Sequence, residues 1–248
     1  MIDHSHDNRH DSGRETETSV IFSVAVSHDS ADLTPHALLA SEVLHAGGTA
    51  TTIIAVAGAS GSGKTYLSGY VAAQLGAPVL SLDAYYLDLS HLPPQERARW
   101  NFDDPASLDW MLLRTQLAAL RIGNSVDVPV YDFSTHTRTD RVRRIEAREF
   151  LVLEGIFALY DEAVREMVSA GVFIDFPDAG CLERRTARDV AERGRTPLSV
   201  REQYEATVRP MFAQYVAPTR RFAQLVVRGD DPPERSFAAL RERLGASR

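Results

Sequence analysis

Cysteine is almost absent: Cys181 stands alone in 248 residues. An internal disulfide is therefore excluded, which fits a reducing, cytoplasmic setting. Long apolar runs are missing as well. None approaches the roughly 20 residues of a membrane helix, so no membrane partner is expected. The first residues, MIDHSHDNRHDSGRETETS, contain no apolar segment of the kind a secretory signal carries. A basic surplus is also lacking, with 27 Lys and Arg against 34 Asp and Glu and a formal net charge of −7. A general nucleic-acid binder needs net basic surface to displace counterions, so nucleic acid is not an expected partner. A phosphate ligand needs only a local basic pocket and stays open. What remains is ordinary globular composition, 44% hydrophobic and 25% charged, enough for one core with an appendage.

Residues 1–49 read as an N-terminal extension. Its first 19 residues are too polar to bury anything and are expected to be disordered. His4, His6 and His10 in that stretch suit a solvated tail better than a metal site. Val20–Val26 has strand character, and Thr34-Pro35 followed by HALLASEVLHA and Gly47-Gly48 has the cap, first turn and stop of a helix. A main domain is expected over 50–248. Apolar runs at Thr52–Ala57, Val79–Leu82, Phe150–Leu153, Val172–Phe176 and Leu225–Val227 predict strands buried in a parallel sheet. Helices are predicted over 66–75, Ser107–Leu120, 180–193 and 199–216. Strands alternating with helices imply an open parallel α/β sheet with helices on both faces.

Gly58-Ala59-Ser60-Gly61-Ser62-Gly63-Lys64-Thr65 fits G-x-x-x-x-G-K-[ST], after a predicted strand and before a predicted helix. The glycines let backbone N–H groups converge on phosphates, and the helix N-terminus adds partial positive charge. Lys64 suits the β- and γ-phosphates, and the Thr65 hydroxyl is a hard ligand for Mg²⁺. The motif predicts a nucleotide-binding P-loop but does not separate kinases from hydrolases.

Three further features bear on that choice. Asp83 follows the strand VLSL, at the carboxyl edge where such sheets bind ligands. A carboxylate there suits a general base for an attacking hydroxyl, or equally a turn residue. Glu154 ends the strand FLVLE, where an acid beside the P-loop can hold the Mg²⁺ shell or cap a helix. The segment CLERRTARDVAERGR carries Arg184, Arg185, Arg188, Arg193 and Arg195. It reads either as a basic lid, about 180–197, that closes over a transferring phosphoryl group, or as an exposed helix laced with ion pairs to Glu183, Asp189 and Glu192.

Seven stretches in register resemble the uridine kinase (uridine–cytidine kinase) family. They are GASGSGKT, SLDAYYLDLSHLPPQER, NFDDPASLD, PVYDFSTHTR, LVLEGIF, RRTARDVAERGR and QYEATVRPMFAQYVAPTRR, spanning about residues 53 to 228. The resemblance implies a P-loop NTPase fold and transfer of the ATP γ-phosphate to the 5′-hydroxyl of uridine or cytidine in pyrimidine salvage. It implies ATP or GTP as donor, Mg²⁺, and a homo-oligomer, often a tetramer. By the same resemblance Asp83 is the base, with Lys64 and the lid arginines Arg188 and Arg193 on the phosphates. Glu154 is the magnesium-associated acid and Asp103 binds the sugar. Tyr131 and His136 hold the pyrimidine, and Arg185, Arg195 and Gln203 reach the acceptor.

Two departures stand out. Ala223-Gln224 replaces the family's Ala-Asp before the last strand, which is expected to disturb a contact on the ATP side. The extension 1–49 is longer than the usual bacterial leader. Two other readings compete. One is a related P-loop kinase for a sugar phosphate or another nucleoside, which would need more basic residues at the acceptor than VPVYDFSTHTR supplies. The other is a non-catalytic nucleotide sensor, which would be expected to have lost Lys64, Asp83 or the lid arginines.

Overall fold

The computed structural model describes residues 50–246. The polar tail, its histidines, the strand expected at Val20–Val26 and the helix after Thr34 lie outside that range. Seven strands and eight α-helical segments follow one another among the described residues. In chain order they are β1 (Thr52–Gly58), α1 (Lys64–Leu75), β2 (Val79–Ser81), α2 (Pro94–Arg97), α3 (Trp110–Arg121), β3 (Val126–Asp132), β4 (Thr137–Ile145) and β5 (Phe150–Glu154). Then come α4 (Glu162–Met167), β6 (Ala170–Asp175), α5 (Asp178–Arg193), α6 (Pro197–Gln203), α7 (Arg209–Met211), β7 (Leu225–Arg228) and α8 (Pro233–Ala246).

Five strands form one parallel sheet in the order β2-β5-β1-β6-β7, with β1 at its centre. The unbroken apolar character of β1 follows from its position. Ile53, Ala55 and Ala57 pack into a layer with Leu113, Leu117 and Leu120 of α3, while Ile54 and Val56 pack with Leu67 and Val71 of α1 and Leu240 of α8. Successive side chains of a strand point to opposite faces, so a strand covered on both sides has no polar alternation to show. All five strand predictions hold to within two residues. β2 stops at Ser81, because Leu82 opens a 3₁₀ turn, Leu82–Tyr85.

The helix expected from Ser107 begins instead at Trp110. Asp109 is its cap, accepting the Leu112 N–H at 3.0 Å, and Pro105 holds the preceding residues in a separate 3₁₀ turn. The helix expected over 199–216 is not a plain one. Two π-helical stretches, Tyr204–Val208 and Phe212–Val216, interrupt it. Each precedes a proline, Pro210 or Pro218, whose ring cannot donate and crowds the turn before it, so the backbone widens. A second sheet, the antiparallel ribbon β3-β4, has no counterpart among the predicted elements. Among the described residues no helix is long and apolar enough to cross a membrane.

Leu117 is fully buried between α3 and the sheet. Leu117→Ala is expected to cost about 2–5 kcal/mol, the range for truncating a buried leucine, read as a lowered denaturant midpoint with an unchanged slope.

Candidate active site

The carboxyl edge of the central sheet gathers most of the residues singled out in the sequence. β1 ends at Gly58, and the loop to α1 turns through Gly61 (φ 85°) and Gly63 (φ 103°), a backbone region open to glycine at no steric cost. At Gly61 an added Cβ would lie 2.3 Å from the carbonyl oxygen of Cys181, so the loop is wedged against the first turn of α5. Cys181 is itself buried, and burial pushes its thiol up to about 11. It is a packing residue under the loop.

Lys64 opens α1 and is only 8% exposed. Its Nζ donates to the Ala59 carbonyl at 2.8 Å, which holds the ammonium along the loop. Burial pulls its pKa below the usual lysine range, against the opposing pull of Glu154 and then Asp83. Glu154 ends β5, and both Val56 of β1 and Ser81 of β2 are its register partners. That register brings two hydroxyls onto one carboxylate. Ser81 Oγ donates to Oε1 at 3.1 Å and Thr65 Oγ1 to Oε2 at 3.4 Å. Burial raises the Glu154 pKa, with Lys64 opposing.

Asp83 follows in the 3₁₀ turn after β2, its N–H donating to Ser81 Oγ at 3.3 Å. Its side chain keeps partial access to solvent. The surrounding protein still raises its pKa by desolvation, and four cations oppose that shift, in the order Lys64, Arg193, Arg188, Arg185. A carboxylate of raised basicity ringed by cations can accept a proton next to a negatively charged reaction centre.

A second group lies around Asp103, in the turn before Pro105. Asp103 is 9% exposed, and its pKa is raised by burial while Arg185 and the Thr207 hydroxyl oppose. Arg185, on α5, donates to Ser60 Oγ of the phosphate loop at 2.7 Å and to Gln203 Oε1 at 3.2 Å. Arg195 donates to the same Gln203 oxygen. Asp103, Arg185, Arg195 and Gln203 therefore form one polar wall, joined to the phosphate loop through Ser60.

The third group is aromatic. Tyr86, Phe102, Tyr131, Phe133 and His136 cluster with ring centroids 4.8–6.5 Å apart. His136 stacks on Phe102 at 4.8 Å and 19°, held by a left-handed backbone (φ 55°) at the tip of the β3-β4 ribbon. Its Nδ1 and the Tyr131 hydroxyl are buried without a hydrogen-bond partner. Burial and then Arg193 lower the His136 pKa, so the ring is neutral at pH 7 and offers one donor and one acceptor. Two unpartnered polar atoms in an aromatic cluster are the groups a flat ligand with polar edges would satisfy.

Several residues that build this site lie in the quoted stretches but have no role assigned by the sequence. Arg138 fastens the ribbon to the segment bearing Asp83, donating to the carbonyls of Tyr86 (2.9 Å) and Tyr85 (3.3 Å) and to Asp109 Oδ2 (3.1 Å). Ser81 and Thr207 join by hydrogen bonds to Glu154 and Asp103, and Phe102 and Phe133 by ring packing. Gln224 corrects an expectation. Its Oε1 accepts the Gly171 N–H, and Gly171 pairs with Ala55, three residues before the phosphate loop leaves β1. Gln224 thus sits toward the amino-terminal edge of the sheet, about 10 Å back along the strands. The residue of that segment beside the phosphate loop is Gly229, where an added Cβ would meet the Ser62 carbonyl at 2.3 Å.

This combination of a 2-5-1-6-7 parallel sheet, a glycine-rich phosphate cradle and an arginine-bearing helix over it defines a P-loop kinase. Solved structures share the fold. A putative fructose transport system kinase from Silicibacter superposes with a TM-score of 0.59 at 21% identity, covering 79% of this chain and 100% of its own. Phosphoribulokinase from Rhodobacter sphaeroides gives 0.55 at 14%, covering 73% and 71%. Residues 53–231 match the Phosphoribulokinase / Uridine kinase family, and the chain belongs to that family. Among its relatives, proteins named uridine kinase from Tolumonas auensis and Pasteurella multocida are each 45% identical over 182 residues, 71% of this chain and 85% and 84% of theirs.

Gln224→Asp shortens the side chain by one methylene and removes its bond to Gly171. The expected result is a stability loss of about 1 kcal/mol with the KM for ATP unchanged, checked by denaturant unfolding and initial-rate kinetics.

Proposed function

We propose that this protein is a pyrimidine nucleoside kinase that transfers the γ-phosphoryl group of ATP to the 5′-hydroxyl of uridine and of cytidine. The observation that carries this reading is the aromatic cluster with two buried, unpartnered polar atoms, whose Tyr86 feels both Asp103 and Asp83. The 45% identity to uridine kinases supports it. A sugar-phosphate acceptor is less favoured, because beside the arginines stands a ring cluster that offers a flat base a stacking wall a sugar phosphate does not use.

The P-loop backbone and Lys64 hold the triphosphate of ATP. GTP presents the same triphosphate and is proposed as an alternative donor. Thr65 and Glu154 are all-oxygen ligands suited to Mg²⁺, which, when bound, withdraws charge from phosphate oxygens. Mg²⁺ held there would take its remaining ligands from phosphate and water. Asp103, Arg185, Arg195 and Gln203 hold the sugar side of the nucleoside. Tyr131 walls the base, and the neutral His136 faces either the uracil O4 or the cytosine N4 amino group. Asp83 takes the hydroxyl proton, while Arg188 and Arg193 offset the charge on the transferring group. With α5 over the cradle, water is kept from the phosphoryl group. A homo-oligomer in the reducing cytoplasm is part of the same reading.

An ADP-release assay with uridine, cytidine, adenosine and ribulose 5-phosphate tests this directly. Turnover confined to the two pyrimidine nucleosides is expected, and turnover with another acceptor alone would remove the base-pocket assignment. Asp83→Asn is expected to keep uridine binding and lose ~10²-fold or more in kcat. Asp83 must be ionised to act, and its pKa is raised, so wild-type kcat should fall as pH drops through that raised value, above the ordinary aspartate range. Asp83→Asn should lack this acid limb. A variant that kept it would take Asp83 out of the base role.

A further inference from the structure

Asp189 lies on α5 with 0% exposure, and four guanidinium groups surround it. Arg188 forks onto Oδ1 through Nε at 3.0 Å and Nη2 at 2.9 Å, and Arg193 Nη1 lies 3.5 Å from the same oxygen. Arg185 Nε and Arg195 Nη1 each lie 3.6 Å from Oδ2. Neither Oδ2 nor Arg185 Nε has a hydrogen-bond partner, so this half of the cluster is held by charge rather than by formed bonds. The Asp189 backbone is committed as well, its carbonyl accepting the N–H groups of Gly194 and Arg195 to close the helix.

The four arginines reach different parts of the site. Arg185 and Arg195, on the Oδ2 side, share Gln203 Oε1, and Arg185 also donates to Ser60 Oγ of the phosphate loop at 2.7 Å and acts on Asp103 and Asp83. Arg188 and Arg193, on the Oδ1 side, both act on Asp83, and Arg193 stands over the Phe133 ring at 5.1 Å. One carboxylate thus joins arginines that reach the phosphate loop, Asp83, Gln203 and the ring cluster. Four positive charges against one leave a local surplus that repels itself until anionic phosphate arrives.

We propose that Asp189 is a positioning residue that couples the two substrates, by holding on one buried carboxylate the arginines that reach the phosphate loop, Asp83 and Gln203. The inference rests on the nucleoside kinase reading above. A first substrate that orders some of these arginines also orders the others through the shared carboxylate, so the second substrate meets partners already in place and loses less conformational entropy on binding. Coupling of this kind is reciprocal. Acceptor binding tightens the nucleotide by the same factor that nucleotide binding tightens the acceptor.

The test is calorimetric titration of uridine into the full chain, with and without a non-hydrolysable ATP analogue, alongside steady-state turnover. For wild type, the analogue is expected to tighten uridine by about 5-fold or more, within the usual range of coupling between sites. Asp189→Asn keeps the shape and removes the charge. It should bring that ratio to about one while uridine binding measured alone changes little, and kcat should fall more than the KM for uridine rises. A purely structural role would weaken binding of each substrate alone and leave the ratio in place. A wild-type ratio of one, or an Asp189→Asn ratio equal to that of wild type, overturns the inference and leaves the nucleoside kinase reading standing. Absence of uridine and cytidine turnover in wild type removes both. Should Asp189→Asn show no cooperative melting transition, Asp189→Ser, which leaves room for water among the guanidiniums, is read in the same way.

Discussion

Everything at the site depends on keeping Lys64 charged while it is nearly out of water. An ammonium in that position is costly unless carboxylates stand close, and Glu154 and Asp83 are the two that oppose its desolvation. Both are themselves pushed toward protonation by burial and held back first by Lys64. The three groups constrain one another, and the sheet fixes their spacing. β5 lies between β1 and β2, so Glu154 stands level with the strand that feeds the phosphate loop and with the strand that delivers Asp83. A one-residue slip in either pairing would turn Glu154 to the other face and separate the set.

The ribbon and the helices around Asp103, the side proposed to take the acceptor, are attached to this frame by side chains rather than by sheet hydrogen bonds. Arg138 clamps the β3-β4 ribbon, which carries Tyr131 and His136, to the Tyr85 and Tyr86 carbonyls and to Asp109. Arg185 ties the phosphate loop to Gln203, and π-helical widening at Tyr204–Val208 carries the chain past Asp103 through Thr207. The phosphate-loop half is thus built on strands, and the half proposed to take the acceptor on a ribbon and helices bonded to them. Acceptor chemistry can therefore vary on this fold without disturbing the phosphate cradle.

Elements covered on both faces were the easiest to read from sequence. Continuous apolar runs marked all five sheet strands, and GASGSGKT marked the loop with its glycines in the places where the backbone turns left-handed. The ribbon was not legible, because β4 reads TRTDRVRRI and exposes most of its side chains, while Pro129 breaks the alternation in β3. The interrupted helix after Thr196 was read as regular, since apolar periodicity does not register a widened turn before a proline. Gln224 was placed on the ATP side by its position in a motif, yet it sits at the other end of its strand.

By itself the sequence determined the parallel α/β class, the phosphate loop and the identity of the charged residues near it, because each leaves a local signature of apolar runs, glycine spacing or a carboxylate at a strand end. Only the tertiary structure decided which charges oppose one another. Asp189 appeared in the sequence as one acid among the ion pairs of an exposed helix, and it is instead the fully buried centre of four arginines. The reason is physical: burial and the partners that compensate for it are properties of groups brought together from distant parts of the chain, and no local pattern encodes them.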